Sequence, residues 1–240
     1  MTQTVNLEVL DTADAVAQRA AVVIMKEARV AVAARGRFVM AVSGGHTPWL
    51  MLSTLSRMDM PWPAVHVVQV DERVAPAGDA DRNLTHLRES LLDHTTLAPE
   101  QIHSMPVEAA DLESAAAQYA AVLRRIAGSP AVLDLVHLGL GPDGHTASLV
   151  PGDPVLKVKN ADVAVTAVYQ GKRRMTLTYP IINRSRKILW VVTGSEKATM
   201  LSRFLDGDES IPAGRVPRER ALLIADEAAA KLAAEHERRA

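Results

Sequence analysis

The stretch from Arg37 to Pro48, RFVMAVSGGHTP, decides the fold. Its first six residues form a short apolar run of strand length. Ser43-Gly44-Gly45 then makes a small-residue turn, and Thr47 and Pro48 open a helix, proline being suited to the first helical turn. A strand with no polar face belongs inside a parallel sheet covered on both sides. Upstream, an Ala/Val-rich helix over 13–35 is capped by Asp11 or Thr12 and stopped by Gly36. Downstream the same unit recurs. A strand at 65–70 exits through Asp71-Glu72-Arg73 and is followed by a helix over 83–92. A helix over 112–126 precedes a strand at 132–138 that ends at Gly139. Short strands are expected at 163–168 and 175–178, then a strong strand at 187–193, a helix at 195–205, a strand at 221–225 and a closing amphipathic helix. Strands alternating with helices predict an α/β fold: a three-layer, Rossmann-like, mainly parallel sheet with helices on both faces, as one domain over 1–240.

Composition narrows the functional classes. The 240 residues carry 27 Lys+Arg against 28 Asp+Glu, a formal charge of −1, so no cationic excess suggests a nucleic-acid partner. Three Trp, three Tyr and two Phe are too few for a base-stacking surface. Cysteine is absent, which excludes disulfides, thiolate metal sites and a cysteine nucleophile. No secretory signal is visible at the start, and no apolar run approaches the ~18–20 residues of a membrane span. The expectation is a soluble cytoplasmic protein.

In a parallel sheet, ligands bind beyond the carboxyl ends of the strands. Gly44-Gly45, Asp71-Glu72-Arg73, Gly141-Pro142-Asp143-Gly144-His145 and Gly194-Ser195-Glu196-Lys197 all lie at such exits, so they are expected on one rim. The first is a tight turn entering a helix, where glycines admit an anion and free N–H groups point at it. Hydroxyls of Ser43 and Thr47 add donors. Residues 139–144, GLGPDG, match the dinucleotide pattern G-x-G-x-x-G, but Pro151, Gly152 and Pro154 interrupt the chain where a helix should follow. His145 is the informative residue there, because imidazole can take and return a proton near neutral pH and Asp143 can orient it. Arg82, Lys172, Arg173, Arg174 and Lys197 are further cations within reach of an anionic substrate. There is no G-x-S-x-G elbow, no H-E-x-x-H, no G-x-x-x-x-G-K-[ST] loop and no zinc-ligand pairing among the eight histidines. Neither metal nor cofactor is expected.

Taken in order, SGGHTP at 43–48, DER at 71–73, GLGPDGHTASLVP at 139–151, RMTLT at 174–178 and TGSEKA at 193–198 resemble the 6-phosphogluconolactonase family, within the superfamily that includes glucosamine-6-phosphate deaminases. The resemblance implies a NagB/RpiA/CoA transferase-like fold. It also implies hydrolysis of 6-phospho-D-glucono-1,5-lactone to 6-phosphogluconate in the oxidative pentose phosphate pathway. His145 matches the family's general base, Arg73 a contact near the reacting end, and Gly44, Gly45 and Thr47 the phosphate-cradling turn. Arg174 and Lys197 match cations that hold the sugar phosphate, and Asp71 and Asp143 stand as accompanying catalytic carboxylates. The implied partner is a small phosphosugar lactone, on a monomer or alternatively a homodimer.

Two positions depart from the family pattern. His46 stands where the turn usually has serine, removing a hydroxyl donor, and Val150 replaces phenylalanine in SLFP. The deaminase pattern H-x-A-F-N-E-P is not met, since Val150 falls where its glutamate should be and cannot transfer a proton. A silent phosphosugar sensor would keep the cradle without needing Asp143 and His145, and a dinucleotide oxidoreductase would need the helix that residues 151–154 break.

Overall fold

The computed structural model of the chain describes residues 5–237. Strand β1 (Asn6–Leu10) precedes α1 (Ala13–Arg35), and β2 (Phe38–Val42) precedes α2 (His46–Ser56). Next, β3 (Val65–Gln69) runs through Val70 into β4 (Asp71–Arg73) and α3 (Asn83–Ser90). The middle of the chain holds β5 (Ile102–His103), α4 (Leu112–Ala127) and β6 (Leu135–Leu138). Then come β7 (Val163–Val165), β8 (Arg174–Leu177), α5 (Tyr179–Arg184), β9 (Lys187–Val192), α6 (Ala198–Leu205), β10 (Ala221–Asp226) and α7 (Glu227–Glu237).

Among the described residues seven strands pair in the order β1-β10-β9-β6-β2-β3-β5, every pair parallel. Period-two alternation divides the interior between the two faces. Phe38, Met40 and Val42 of β2 join Leu189, Val191, Leu222 and Ile224 under α1, α2 and α3. Val39 and Ala41 join Ile188, Trp190, Val192 and Leu223 against α4, α6 and α7. Helices thus cover both faces of the sheet, the three-layer α/β arrangement expected. The limits of α1 have local causes: Thr12 Oγ1 accepts from Ala15 N at 3.2 Å, and Gly36 closes the helix at φ +71 by donating to Val32 O at 2.8 Å. Among the described residues no helix is long and apolar enough to cross a membrane.

A second sheet was not foreseen. Residues 71–73, read as a strand exit, are themselves a strand, and they pair antiparallel with β8, which pairs antiparallel with β7. Val70 belongs to both sheets: its N–H donates to Val42 O at 3.0 Å and its C=O accepts from Leu177 N at 2.8 Å. The short strands near 163 and 175 therefore lie outside the parallel sheet. At the start of the chain β1 is an additional edge strand, half exposed and paired with β10 alone. The expected helices at 83–92 and 195–205 are α helices over 83–90 and 198–205, each adjoined by a 3₁₀ segment, Leu92–His94 and Ser195–Lys197.

Candidate active site

All four predicted exits reach one cavity of about 400 Å³ at the carboxyl ends of the strands. From the β2 exit come Ser43, Gly44, Gly45, His46 and Thr47, and from the β6 exit Gly139, Gly141 and His145. The β9 exit gives Thr193, Glu196 and Lys197, and the small sheet contributes Asp71, Arg73 and Arg174.

At the first exit, Gly45 precedes α2 at φ +129, a conformation that favours glycine, and no side chain caps the helix. The first N–H groups of α2 are thus left without a side-chain partner beside the cavity, the arrangement that receives an anion. Gly44 allows a close approach of another kind: a Cβ there would overlap Asn83 Oδ1 and lie 2.7 Å from its Cγ. Thr47 Oγ1 shares a hydrogen bond of 2.7 Å with Thr193 Oγ1, so one of the two hydroxyl protons stays free for a guest. Ser43 differs from the expectation. Its hydroxyl donates to His137 O at 2.9 Å and its N–H to His137 Nδ1 at 3.2 Å, so both donors anchor the turn to β6.

The second exit spends its backbone on itself. Gly141 N donates to His145 O at 2.8 Å, Gly144 N to Gly141 O at 3.0 Å, and His145 N to Asp143 Oδ1 at 3.1 Å. No α-helix follows before β7, only a 3₁₀ segment at Pro154–Lys157, in keeping with the rejected dinucleotide pattern. The closed turn leaves the imidazole of His145 against Gly141, where a Cβ would overlap ring atoms and lie 2.7 Å from Cγ. His145 Nδ1 sits 2.5 Å from Asp143 Oδ1. Burial alone would push the Asp143 carboxyl up, but the charge of His145, its N–H groups and the Tyr169 hydroxyl together hold it below the usual carboxylate range. An ionised Asp143 only accepts, so Nδ1 carries the hydrogen and Nε2 is the basic nitrogen. Ala147, two residues on, has φ +51, a strained value for a non-glycine residue on the cavity wall.

The small sheet brings Arg73 and Arg174 together as register partners. The Nε atoms of both are buried and have no hydrogen-bond partner among the described residues. Burial, then the like charge of Arg73, push the Arg174 guanidinium down from its ordinary value. Among the described residues neither guanidinium is in direct ion-pair contact with a carboxylate. Two cations side by side thus give this wall the chemistry of a receptor for negative charge, partly offset by Asp71 and Asp143. Asp71 is buried on the same wall and accepts from Ser148 Oγ at 2.6 Å and from Asn83 Nδ2 at 3.3 Å.

Three expected cations lie elsewhere, and one of them, Arg173, pairs with Glu113 at 2.5 Å. Arg82 does not line the cavity; it neutralises the fully buried Glu72 at 3.2 Å and reaches Glu108 at 2.8 Å. Glu72 in turn caps α3, accepting from Asn83 N and Leu84 N at 2.8 Å each. Lys172 also lies outside, ion-paired with Asp81 and 4.0 Å from Asp79. Sequence reasoning missed Asn83, whose Oδ1 is buried and unpartnered at the cavity, and Tyr169, whose hydroxyl donates to Asp143 Oδ2 at 3.1 Å. Neither had a local signal, because each acquires its role from a distant segment. Among the described residues no group of three or more His, Cys, Asp or Glu is gathered to hold a metal ion.

Fold and cavity define a class: a three-layer α/β protein with a cationic cleft at the carboxyl edge of its parallel sheet and, on its wall, a histidine backed by an aspartate. The family described as glucosamine-6-phosphate isomerases/6-phosphogluconolactonase matches residues 11–224, and the chain belongs to it. The 6-phosphogluconolactonase of Synechocystis sp. is 37% identical over 203 residues, covering 83% of this chain and 84% of its own. That of Mycobacterium tuberculosis is 36% identical over 242 residues, covering 95% of this chain and 98% of its own. The solved 6-phosphogluconolactonase from Trypanosoma cruzi superposes with a TM-score of 0.86 at 24% identity, over 96% of this chain and 97% of that one.

Proposed function

We propose that this chain is a 6-phosphogluconolactonase, hydrolysing 6-phospho-D-glucono-1,5-lactone to 6-phosphogluconate with His145 as general base. One observation carries the reading: His145, whose Nδ1 is held by Asp143 behind the wall, and the open turn at Gly44–Gly45 border the same cavity, with Arg174 and Lys197 on its walls. The family includes isomerases as well as lactonases, so the choice rests on side chains. Val150, where the deaminase pattern has its acid, is buried and off the cavity wall, which favours the lactonase.

The phosphate dianion is held by the Gly44–Gly45 turn, Thr47, Arg174 and Lys197, and this remote grip fixes the carbonyl. His145 Nε2 takes a proton from water as the water oxygen bonds to C1, and the carbonyl π pair moves onto its oxygen. Arg73 stabilises that oxyanion. The pair then re-forms the carbonyl, the bond from C1 to the ring oxygen breaks, and the imidazolium returns its proton to that oxygen. Asp143 holds the ring tautomer throughout. Asp71, fixed by Ser148 and Asn83, is placed to orient a hydroxyl or the water.

The test is acid release from freshly generated lactone, with phosphorylated and unphosphorylated gluconolactone side by side. His145→Ala is expected to lower turnover by ~10²–10⁴-fold while KM stays nearly constant. Near-wild-type turnover in that variant removes the histidine from the mechanism. A wild-type chain that binds the phosphosugar without releasing acid is a sensor, not an enzyme.

A further inference from the structure

The segment between β7 and β8 is not an idle loop. Thr166 N donates to Arg174 O at 2.8 Å, Tyr169 N to Lys172 O at 3.0 Å, and Lys172 N to Tyr169 O at 3.3 Å. Gln170 and Gly171 at the tip both have positive φ, +52 and +79, as a two-residue hairpin turn of the primed type requires. Lys172 pairs with Asp81 and ties the tip to the loop after β4. The hairpin therefore holds Tyr169 in a fixed place.

That place joins two parts of the site that are otherwise separate. On one side the Tyr169 hydroxyl donates to Asp143 Oδ2 at 3.1 Å, and its ring stands edge-on to His145 at 5.9 Å between centroids. On the other, Arg174 Cζ lies 4.9 Å from the centroid of the same ring. Gln170 Oε1 accepts from the Arg174 guanidinium at 3.0 Å and steadies the stack. Burial and the neighbouring carboxylate push the Tyr169 hydroxyl up, so it keeps its proton and acts as donor. Tyr169 does not line the cavity, so it acts on the substrate only through its neighbours.

We propose that Tyr169 is a positioning residue that links the Arg174 guanidinium to the Asp143–His145 pair and sets how strongly Asp143 holds the imidazolium. The inference rests on His145 being the base. The carboxylate of Asp143 divides its negative charge between two donors, the Tyr169 hydroxyl on Oδ2 and the imidazole on Oδ1. Removing the hydroxyl concentrates that charge on the imidazole side. The imidazolium becomes easier to form, so the base is lost to protonation at a higher pH. Other titratable groups around His145 are Asp71, Arg73 and Arg174 from the small sheet, His46 from α2, and Glu196 and Lys197 from the β9 exit. None of them loses an atom when one hydroxyl is taken from Tyr169.

Tyr169→Phe keeps the ring and its stack on Arg174. Its acid limb of kcat/KM should move up by about half a pH unit with KM unchanged. The His145 imidazole, followed by NMR titration in both proteins, should move in the same direction. Superimposed profiles, or a uniform loss of rate with the limb unmoved, overturn the proposal. Tyr169→Leu removes the ring and should raise KM roughly threefold for the phosphorylated lactone alone; equal changes for both lactones overturn the link to Arg174. His145→Ala separates the two readings. If it retains turnover, the base assignment fails; if it is inactive while Tyr169→Phe follows the wild-type profile, Tyr169 alone loses its role.

Discussion

Two glycine-rich turns leave the parallel sheet at neighbouring strands, β2 and β6, and both face the same cavity. In composition they look alike, yet they are built for opposite purposes. The turn at 43–45 opens a helix and leaves its first N–H groups without side-chain caps, so its backbone is the group offered to a ligand in the proposed function. The turn at 139–145 closes its N–H groups on itself and on Asp143, so its backbone is a frame, and in the proposed mechanism a side chain does the chemistry. In the proposed reading, glycine serves the first by admitting an anion to the main chain. It serves the second by leaving room for the imidazole of His145. Whether a helix follows distinguishes the two, and that is legible in the prolines at 151 and 154.

The same substitution in each turn should therefore break different kinetic constants. Gly141→Ala puts a methyl group on the ring of His145, which must swing away from its place beside Asp143. Turnover is expected to fall about 10²-fold, the usual consequence of an ångström-scale displacement of a catalytic group, with KM nearly unchanged. Gly44→Ala pushes on Asn83 beside the anion-facing turn and should act chiefly on KM for the phosphorylated lactone. Steady-state kinetics of the two variants check this; a KM effect from Gly141→Ala and a turnover effect from Gly44→Ala would reverse the division of labour.

Cations on the opposite walls sharpen the comparison. Arg174→Ala and Lys197→Ala should each raise KM roughly tenfold for the phosphorylated substrate and leave unphosphorylated gluconolactone nearly unaffected, since the lost interaction is with the charged tail. Parallel losses on both lactones would place these residues at the reacting end instead. Arg82→Ala should affect stability, since it strands the fully buried carboxylate of Glu72.

The five inner strands of the large sheet were legible because they are apolar on both faces and separated by helix patterns, and the rim of exits follows from the parallel arrangement alone. The edges were not, β1 being half exposed and β5 only two residues long. The small sheet was not, because strands of three or four residues carry no signal of partner or direction. At the site, the Gly44–Gly45 turn and His145 could be expected at the cavity because each follows a strand end, whereas Asp71, Arg73, Arg174 and Lys197 were singled out by the family resemblance, local spacing being equally that of solvated charged turns. Arg82 and Lys172 could not be told from ligand-holding cations, since the carboxylates that engage them belong to other elements. Tyr169 reaches Asp143 across a hairpin whose fold, not its composition, sets the contact.

The two turns are also joined physically, and the joint should titrate. His137 on β6 is fully buried, and its Nδ1 and C=O hold both donors of Ser43 at the start of the first turn. Burial pushes its imidazole down to about 3, so in the folded protein it stays neutral where an unfolded chain would take up a proton. A histidine depressed in this way contributes stability in full above its unfolded value near ~6.5 and loses it as pH falls toward the folded value. The slope is one proton, about 1.4 kcal/mol of unfolding free energy for each pH unit in that window. His103, pushed down to about 4 by burial and by the charges of His66 and Arg125, adds to the same acid trend. It is present in wild type and in His137→Asn alike, so subtracting their urea unfolding free energies from pH 7 to 4.5 isolates His137. The variant should start less stable and lose stability less steeply on acidification. Parallel curves would mean that the tie between the turns carries no buried proton-binding penalty.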